Sequence, residues 1–188
     1  MKTMRAFIAI TLPDGVRRRL GELSQALAAL TPPRAVRWVS PDLLHLTVRF
    51  LGDTDVAKLP AIYAALDVLA AASPAFTLKL DQLGCFPNPR RPRVIWVGLQ
   101  DEAGQAAALQ QAVDQALIPL GWQPEGKPFQ LHLTLGRVKD EAARLSDLPW
   151  GQPQASLPVP VTALHVIESQ LRPTGPIYTI RHTSPLRS

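Results

Sequence analysis

A three-residue phrase, His-Leu-Thr, occurs twice in this chain of 188 residues, first at His45 and again at His132. The separation is 132 − 45 = 87 positions, which is close to half of the chain. The chain contains 4 histidines, so half of them belong to this phrase. Repetition of a polar phrase over this distance indicates two similar folded units that each present the same side chains.

Each phrase closes a predicted strand–helix–strand unit, because a β-branched or aromatic run and an amphipathic helix precede it. Phe7 in the opening strand of the first unit precedes His45 by 38 residues, and Ile95 in the second unit precedes His132 by 37. The phrase therefore occupies the same place in two units of the same design. The predicted segments are, in order, 5–12, 15–30 and 43–50, then 93–99, 101–120 and 128–138.

The remaining predicted elements fit the same architecture. They suggest an α+β fold with two lobes, each a small sheet backed by helices, related by a pseudo-two-fold axis. We expect one two-lobed domain over residues 1–188, with the Pro- and Arg-rich stretch 84–93 as a loop between the units. The further elements are a helix over 56–72, a strand over 75–83, a weak helix near 140–145, and strands over 157–169 and 176–183.

Composition narrows the class of protein. The net charge is +5 and the pI is near 9.9, a balance that suits an anionic ligand such as nucleic acid. The one cysteine, Cys85, leaves no partner for an internal disulfide, so we expect a cytoplasmic protein. No apolar run reaches the ~20 residues that a membrane-spanning helix needs.

Side chains alternate between the two faces of a strand, so each phrase sets its polar residues on one face. In the first copy His45, Thr47 and Arg49 share a face, and in the second copy His132 and Thr134 do. The residues between them are apolar and predict a buried opposite face. If the pseudo-two-fold axis brings the strands together, two imidazole–hydroxyl pairs face each other across a cleft.

Two histidines beside two hydroxyls suit the cleavage of a phosphodiester. One neutral imidazole takes a proton from the attacking water or hydroxyl, and one imidazolium gives a proton to the leaving oxygen. Thr47 and Thr134 can donate hydrogen bonds to phosphate oxygens, and an arginine adds positive charge there. Arg137 follows directly on the second phrase, while Arg49 lies on the polar face where the second copy has Gly136.

The same residues allow other interpretations. Two histidines can bind zinc, but zinc takes a third or fourth ligand, and neither polar face carries Asp, Glu or Cys.

The other two histidines are interpreted as a structural residue, His165, and a surface residue, His182. Arg90 and Arg91 lie in the loop between the units, which is either a solvated turn or a contact for an RNA backbone. Trp96 either packs in the core or stacks on a base.

The chain resembles the two-histidine phosphoesterase superfamily and, within it, the bacterial RNA 2′,3′-cyclic phosphodiesterases first described as 2′–5′ RNA ligases, the LigT-like branch. The resemblance covers nearly the whole chain. Its segments are specific when taken together, whereas His-x-Thr alone is not. They are the opening strand RAFIAITLP, the first motif WVSPDLLHLTVRFLGD, the middle strand RPRVIWVGL, the second motif PFQLHLTLGR and the closing hairpin ESQLRPTGPIYTI.

The resemblance implies a bilobal fold with two antiparallel sheets flanking a central cleft. It also implies that the protein opens a terminal 2′,3′-cyclic phosphate on RNA to leave a 2′-phosphate, without a metal or cofactor. We expect a monomer, because one chain completes the pseudo-symmetric site. By position, His45 and His132 correspond to the catalytic pair, Thr47, Thr134 and Arg137 to phosphate-binding residues, and Arg49, Arg90 and Arg91 are candidate RNA contacts.

The same catalytic groups would serve related tasks that the sequence does not separate. These are 2′–5′ joining of tRNA half-molecules, hydrolysis of another small cyclic phosphate such as ADP-ribose 1″,2″-cyclic phosphate, and RNA binding without chemistry. The resemblance favours His45 as the general acid that protonates the departing O3′ and His132 as the general base that activates water. The duplication itself leaves the two roles interchangeable.

Overall fold

The computed structural model of the chain describes residues 2–126, 128–140, 142–173 and 175–188. Short 3₁₀ turns at Pro41–Leu43, Val56–Lys58 and Ile118–Leu120 lie beside the regular elements. The strands are β1 (Thr3–Thr11), β2 (Val36–Trp38), β3 (His45–Asp55), β4 (Phe76–Phe86), β5 (Val94–Gln100), β6 (His132–Val138), β7 (Pro158–Val161), β8 (Ala163–Arg172) and β9 (Gly175–Pro185). The helices are α1 (Asp14–Ala29), α2 (Leu59–Ala72) and α3 (Gln105–Leu117).

The nine described strands form one curled sheet in the order β7-β4-β5-β6-β3-β1-β8-β9, with β2 paired to the end of β6. Neighbouring strands are antiparallel. The halves β7-β4-β5-β6 and β3-β1-β8-β9 meet at a single residue pair, Leu46 with Leu133. The fold is α+β as predicted, and the two expected sheets are the two halves of this one sheet.

Each half of the sheet combines strands from both halves of the chain. β4 belongs to the first half of the chain but pairs with β5 of the second, while β8 of the second half pairs with β1. The single strand predicted over 157–169 is two strands, β7 and β8, which separate at Thr162 and join opposite halves of the sheet. Pro158 and Pro160 lack N–H donors, so β7 is suited to the sheet edge.

The helices cover the face of the sheet opposite to the two histidines. The main apolar core lies between the helices and this face, with fully buried side chains from β1, α2, α3 and β6. Representative residues of that core are Ile8, Ile62, Val113 and Leu133. None of the helices within the described ranges is long and apolar enough to cross a membrane.

Two helix predictions differ from the structure. Helix α3 begins at Gln105 rather than at Asp101, because the Asp101 carboxylate accepts hydrogen bonds from the first backbone N–H groups of the helix. The weak helix near 140–145 is not formed by its described residues, and Glu141 lies outside them. The Asp140 side chain accepts the backbone N–H of Ala142, which favours a turn at this point.

Candidate active site

The two phrases begin the strands β3 and β6 at the centre of the sheet. The middle residue of one phrase, Leu46, pairs with the middle residue of the other, Leu133. Antiparallel pairing at this point sets each histidine across from the threonine of the other phrase. The polar patch on the cleft face, away from the helices, consists of His45, Thr47, His132 and Thr134.

Both imidazoles are oriented by a backbone carbonyl two residues earlier in the chain. His45 Nδ1 lies 2.7 Å from the carbonyl oxygen of Leu43, and His132 Nδ1 lies 2.7 Å from that of Gln130. A carbonyl oxygen only accepts, so Nδ1 carries the proton in both rings. In each neutral imidazole the lone pair therefore resides on Nε2.

The two Nε2 atoms have different partners. His45 Nε2 lies 3.0 Å from Thr47 Oγ1 and accepts the hydroxyl proton when the ring is neutral. His132 Nε2 has no hydrogen-bond partner among the residues that the structure describes. The copies are alike in sequence, yet only the His132 lone pair is available to an incoming water.

Burial lowers the pKa of both histidines, and the carbonyl bond at Nδ1 partly opposes this effect. A positive charge on His132 lowers the pKa of His45 further, and the Arg137 guanidinium lowers the pKa of His132. Protonation of one imidazole therefore disfavours protonation of the other. In the absence of an anion both rings are biased toward the neutral form.

Aromatic rings stand beside His45. Its ring centroid lies 4.8 Å from that of Phe7 and 5.4 Å from that of Tyr178, which is edge-on. Phe50 adds a further ring, 6.2 Å from Phe7 and largely exposed. Nothing in the sequence pattern marks these residues as part of the site, because strand alternation assigns a face but does not say which strands become neighbours.

His132 has a separate aromatic wall. The rings of Phe86 and Trp96 lie 5.0 Å and 6.3 Å from the His132 ring. The Trp96 indole lies across Gly84, where a Cβ atom would come within 2.2 Å of the ring. Trp96 thus lies on the cleft face, and its buried Nε1 has no hydrogen-bond partner in the described part of the chain.

The prediction that Arg49 faces the cleft is wrong. Val48 has no partner in β1 and forms a β-bulge, which interrupts the alternation of side chains. The Arg49 side chain therefore turns to the helix side and is buried, with Nη1 3.1 Å from Asp114 Oδ1 and 3.6 Å from Glu125 Oε1. Its Nη2 donates to the carbonyl of Gln123. Arg49 is thus an internal ion-pair residue whose side chain is directed away from the cleft.

The second strand has the same bulge at the matching position. Leu135 has no partner in β5, so Gly136 faces the helix side and Arg137 faces the cleft. Gly136 is close to Val36 and Trp38, and a Cβ atom there would come within 2.8 Å and 3.0 Å of their side chains. An arginine equivalent to Arg49 does not fit at this point.

The loop between β4 and β5 lies next to His132. Arg91 lines a shallow pocket together with Phe86, which contacts the His132 ring. Arg90 is exposed and does not line this pocket, and its backbone N–H is bound by the Asn88 side chain. Of the two arginines selected in this loop, Arg91 therefore shares a pocket with a residue that contacts His132, whereas Arg90 does not line that pocket.

The other two histidines are bound by neighbouring side chains. His165 bridges the hydroxyl groups of Thr11 and Thr183 at 3.2 Å and 3.0 Å. His182 Nε2 lies 2.7 Å from the Asp67 carboxylate of helix α2. In the described part of the chain, no group of three or more His, Cys, Asp or Glu side chains is placed to hold a metal ion.

A comparison with known families finds two matches along the chain, and each match contains one of the two phrases. The family profile described as LigT like Phosphoesterase matches residues 10–96 and again residues 97–178. His45 lies 45 − 10 = 35 positions into the first match, and His132 lies 132 − 97 = 35 positions into the second. The internal duplication is thus a repeat of one family unit.

Relatives over nearly the full length carry the same name. An RNA 2′,3′-cyclic phosphodiesterase from Thermus thermophilus is 36% identical over 98% of this chain and 91% of its own length. That from Methanothermobacter thermautotrophicus is 34% identical over 94% of this chain and 95% of its own length.

Two solved structures are similar to this chain over nearly its full length. The protein TT0787 of Thermus thermophilus superposes with a TM-score of 0.84 at 32% identity, covering 98% of this chain and 99% of its own. E. coli LigT complexed with 3′-AMP superposes with a TM-score of 0.82 at 26% identity over 100% of both chains. The chain belongs to the LigT-like phosphoesterase family.

Proposed function

We propose that the protein hydrolyses the terminal 2′,3′-cyclic phosphate of RNA to a 2′-phosphate, with His45 and His132 as its acid–base pair. The observation that carries this proposal is the pair of imidazoles fixed at Nδ1 by carbonyls, each set across from a threonine of the other phrase. The names of the relatives support the reaction. Hydrolysis of another small cyclic phosphate is the alternative activity, and such compounds should be assayed beside the RNA substrate.

His132 is suited to be the general base. Its Nε2 is open to a water molecule, and burial, with a smaller contribution from the neighbouring Arg137, lowers the pKa of the ring and favours its neutral form. The ring would take a proton from water as the water oxygen attacks phosphorus. Arg137 would stabilise the negative charge that develops on the phosphate oxygens.

His45 is then the general acid. The P–O3′ bond breaks as the new P–O bond forms, and the His45 imidazolium gives its Nε2 proton to O3′. The Thr47 hydroxyl, which bonds to Nε2 in the absence of substrate, would turn to a phosphate oxygen and release that nitrogen. Thr134 would donate to the phosphate from the opposite strand.

The test is phosphorus NMR of an oligonucleotide with a 2′,3′-cyclic phosphate end, incubated in the presence of a chelator. We expect a 2′-phosphate product from the wild type and none from His45→Ala or His132→Ala. His182→Asn is the matched control, because His182 contacts Asp67 on the helix side. Near-wild-type turnover by either active-site variant, with native circular dichroism, would contradict the two-histidine mechanism.

Ligation is a second candidate that one observation favours. Aromatic rings lie on both sides of the histidine pair, Phe7 and Tyr178 on one side and Phe86 and Trp96 on the other. Two such walls can hold a nucleoside on either side of the phosphate. A 5′-hydroxyl would then replace water as the nucleophile and give a 2′–5′ linkage. Supplying tRNA half-molecules and comparing joined with hydrolysed product distinguishes the two tasks.

We also propose that the protein acts as a cytoplasmic monomer with one domain. Both histidines come from the same chain, so a single copy completes the site. The lone thiol of Cys85 is buried and is compatible with a reducing compartment. Light scattering at micromolar concentration tests the monomer, which a dimer mass would contradict.

A further inference from the structure

Strand β2 brings a second arginine beside Arg137. Arg37 is the direct partner of Arg137 in the β2–β6 pair, so both side chains point to the same face of the sheet, the cleft face. Arg37 is exposed there. The β8–β9 hairpin approaches it from the opposite half, since a Cβ atom on Gly175 would lie 3.4 Å from Arg37 Nη2.

Strand β1 contributes a further arginine to this end of the cleft. Arg5 precedes Phe7 by two residues and therefore shares its face, while Met4 and Ala6 point to the helix side and are buried. Burial raises the pKa of Tyr178, and the charges of Arg137 and Arg5 both oppose that rise. The two guanidinium groups are thus near the same tyrosine.

Neither Arg5 nor Arg37 has an acidic partner among the described residues. Several other arginines do, such as Arg181 with Glu168 on the helix side of the sheet. Asp53 stands opposite Arg5 in β3 without forming an ion pair in this part of the structure. The guanidinium groups of the rim arginines, Arg5 and Arg37, therefore lie on the cleft face without a direct ion pair among the described residues.

We infer that the rim arginines bind the phosphate one nucleotide upstream of the cyclic phosphate, so that the protein acts on RNA ends in preference to cyclic mononucleotides. The inference rests on the proposed function. Strands rise ~3.3 Å per residue, so Arg5 lies about 7 Å further along β1 than Phe7, whose ring contacts His45. Arg5 therefore stands roughly one nucleotide away from the position of the cyclic phosphate. A cyclic mononucleotide has no phosphate to place there.

The experiment compares kcat/KM for two substrates, a cyclic-phosphate-ended hexanucleotide and the matching 2′,3′-cyclic mononucleotide. The variants are Arg5→Gln and Arg37→Gln, with Arg18→Gln as the control of equal charge change on the exposed side of α1. We expect the hexanucleotide-to-mononucleotide ratio to fall about 5- to 10-fold in each rim variant. The slope of log kcat/KM against log salt for the hexanucleotide should flatten by about 0.7 per lost phosphate contact.

An unchanged ratio in both rim variants would overturn the inference, as would an equal fall in Arg18→Gln. If the wild type hydrolyses neither substrate, the proposed function fails, and the rim arginines are then tested by binding alone. Fluorescence anisotropy of the intact cyclic-ended hexanucleotide provides that measurement. Equal affinity of the wild type and the rim variants would reject the upstream contact.

Discussion

Phe50 and Arg137 occupy the same position in the two halves of the sheet. Each follows its histidine by five residues, 50 − 45 and 137 − 132, and each returns to the cleft face after a bulge at the third residue. The repeat thus places an aromatic ring at this position in one half of the sheet and a guanidinium at the same position in the other.

The two residues should differ in kinetic effect. We expect Arg137→Gln to lower kcat for a 2′,3′-cyclic nucleotide by about 10²–10³, the usual loss for one transition-state donor. Phe50→Leu keeps an apolar side chain and should act mainly on KM, by less than about 10-fold, through weaker stacking on a base. Steady-state kinetics on both variants make the comparison. Equal losses of kcat would contradict the assignment of Arg137 to the phosphate.

A methyl group on Gly84 should displace the Trp96 indole. The added Cβ would lie 2.2 Å from the ring, so the indole must move away from Gly84 and change its position beside His132. We expect Gly84→Ala to reduce the free energy of unfolding by about 1–3 kcal/mol and to lower turnover as well. Urea titration and hydrolysis assays measure the two effects. Gly98→Ala is the control, because its Cβ would meet the same ring at 3.4 Å, and a similar loss there would count against the argument.

The buried pair of Arg49 and Asp114 should act on stability. Arg49 Nη1 and Asp114 Oδ1 lie 3.1 Å apart without the alignment of a hydrogen bond, and both residues are buried. Arg49→Met leaves the buried Asp114 carboxylate without its cation and should cost about 3–5 kcal/mol. Asp114→Leu leaves Arg49 with Glu125 alone and should cost less than Arg49→Met. The double variant should lose less than the sum of the two. Chemical denaturation measures this, and a loss of RNA affinity at unchanged stability would contradict it.

Stability should fall as the pH drops below neutrality. Burial lowers the pKa of His45, His132 and His165 below the ordinary value of 6.5 in the folded protein. The unfolded chain then binds protons first, so the stabilisation is complete above pH 6.5 and is lost as the pH falls through the folded pKa values. Urea titrations between pH 7.5 and 5 (roughly the range over which an unfolded histidine titrates) measure the loss. His45→Asn with His132→Asn should reduce it, and an unchanged pH dependence would contradict the argument.

The sequence predicts the central part of the site well, for a physical reason. Strand alternation holds from His45 to Thr47 and from His132 to Thr134, so each pair shares the cleft face as expected. Alternation fails at the next residue, because a bulge has no signature in a run of apolar and charged residues. That single irregularity reverses the face of Arg49.

Pairing between distant strands is the part of the fold that local patterns do not contain. Arg37 faces the cleft because β2 pairs with β6, and Tyr178 stands at His45 because β9 returns beside β8. Tyr178 lies far from His45 along the chain. Arg37 lies on a strand whose composition gives no sign of a role in the site. Local periodicity identifies such strands but does not give their neighbours.

The exchange of strands between the two units has a mechanical consequence. A chain cut in the loop between β4 and β5 would give two fragments, and each would hold a histidine but only part of the strands of either half of the sheet. Neither fragment could assemble a complete half alone, whereas the two together contain every strand. A protein cut in this loop would therefore keep its folded sheet only as a complex of both fragments.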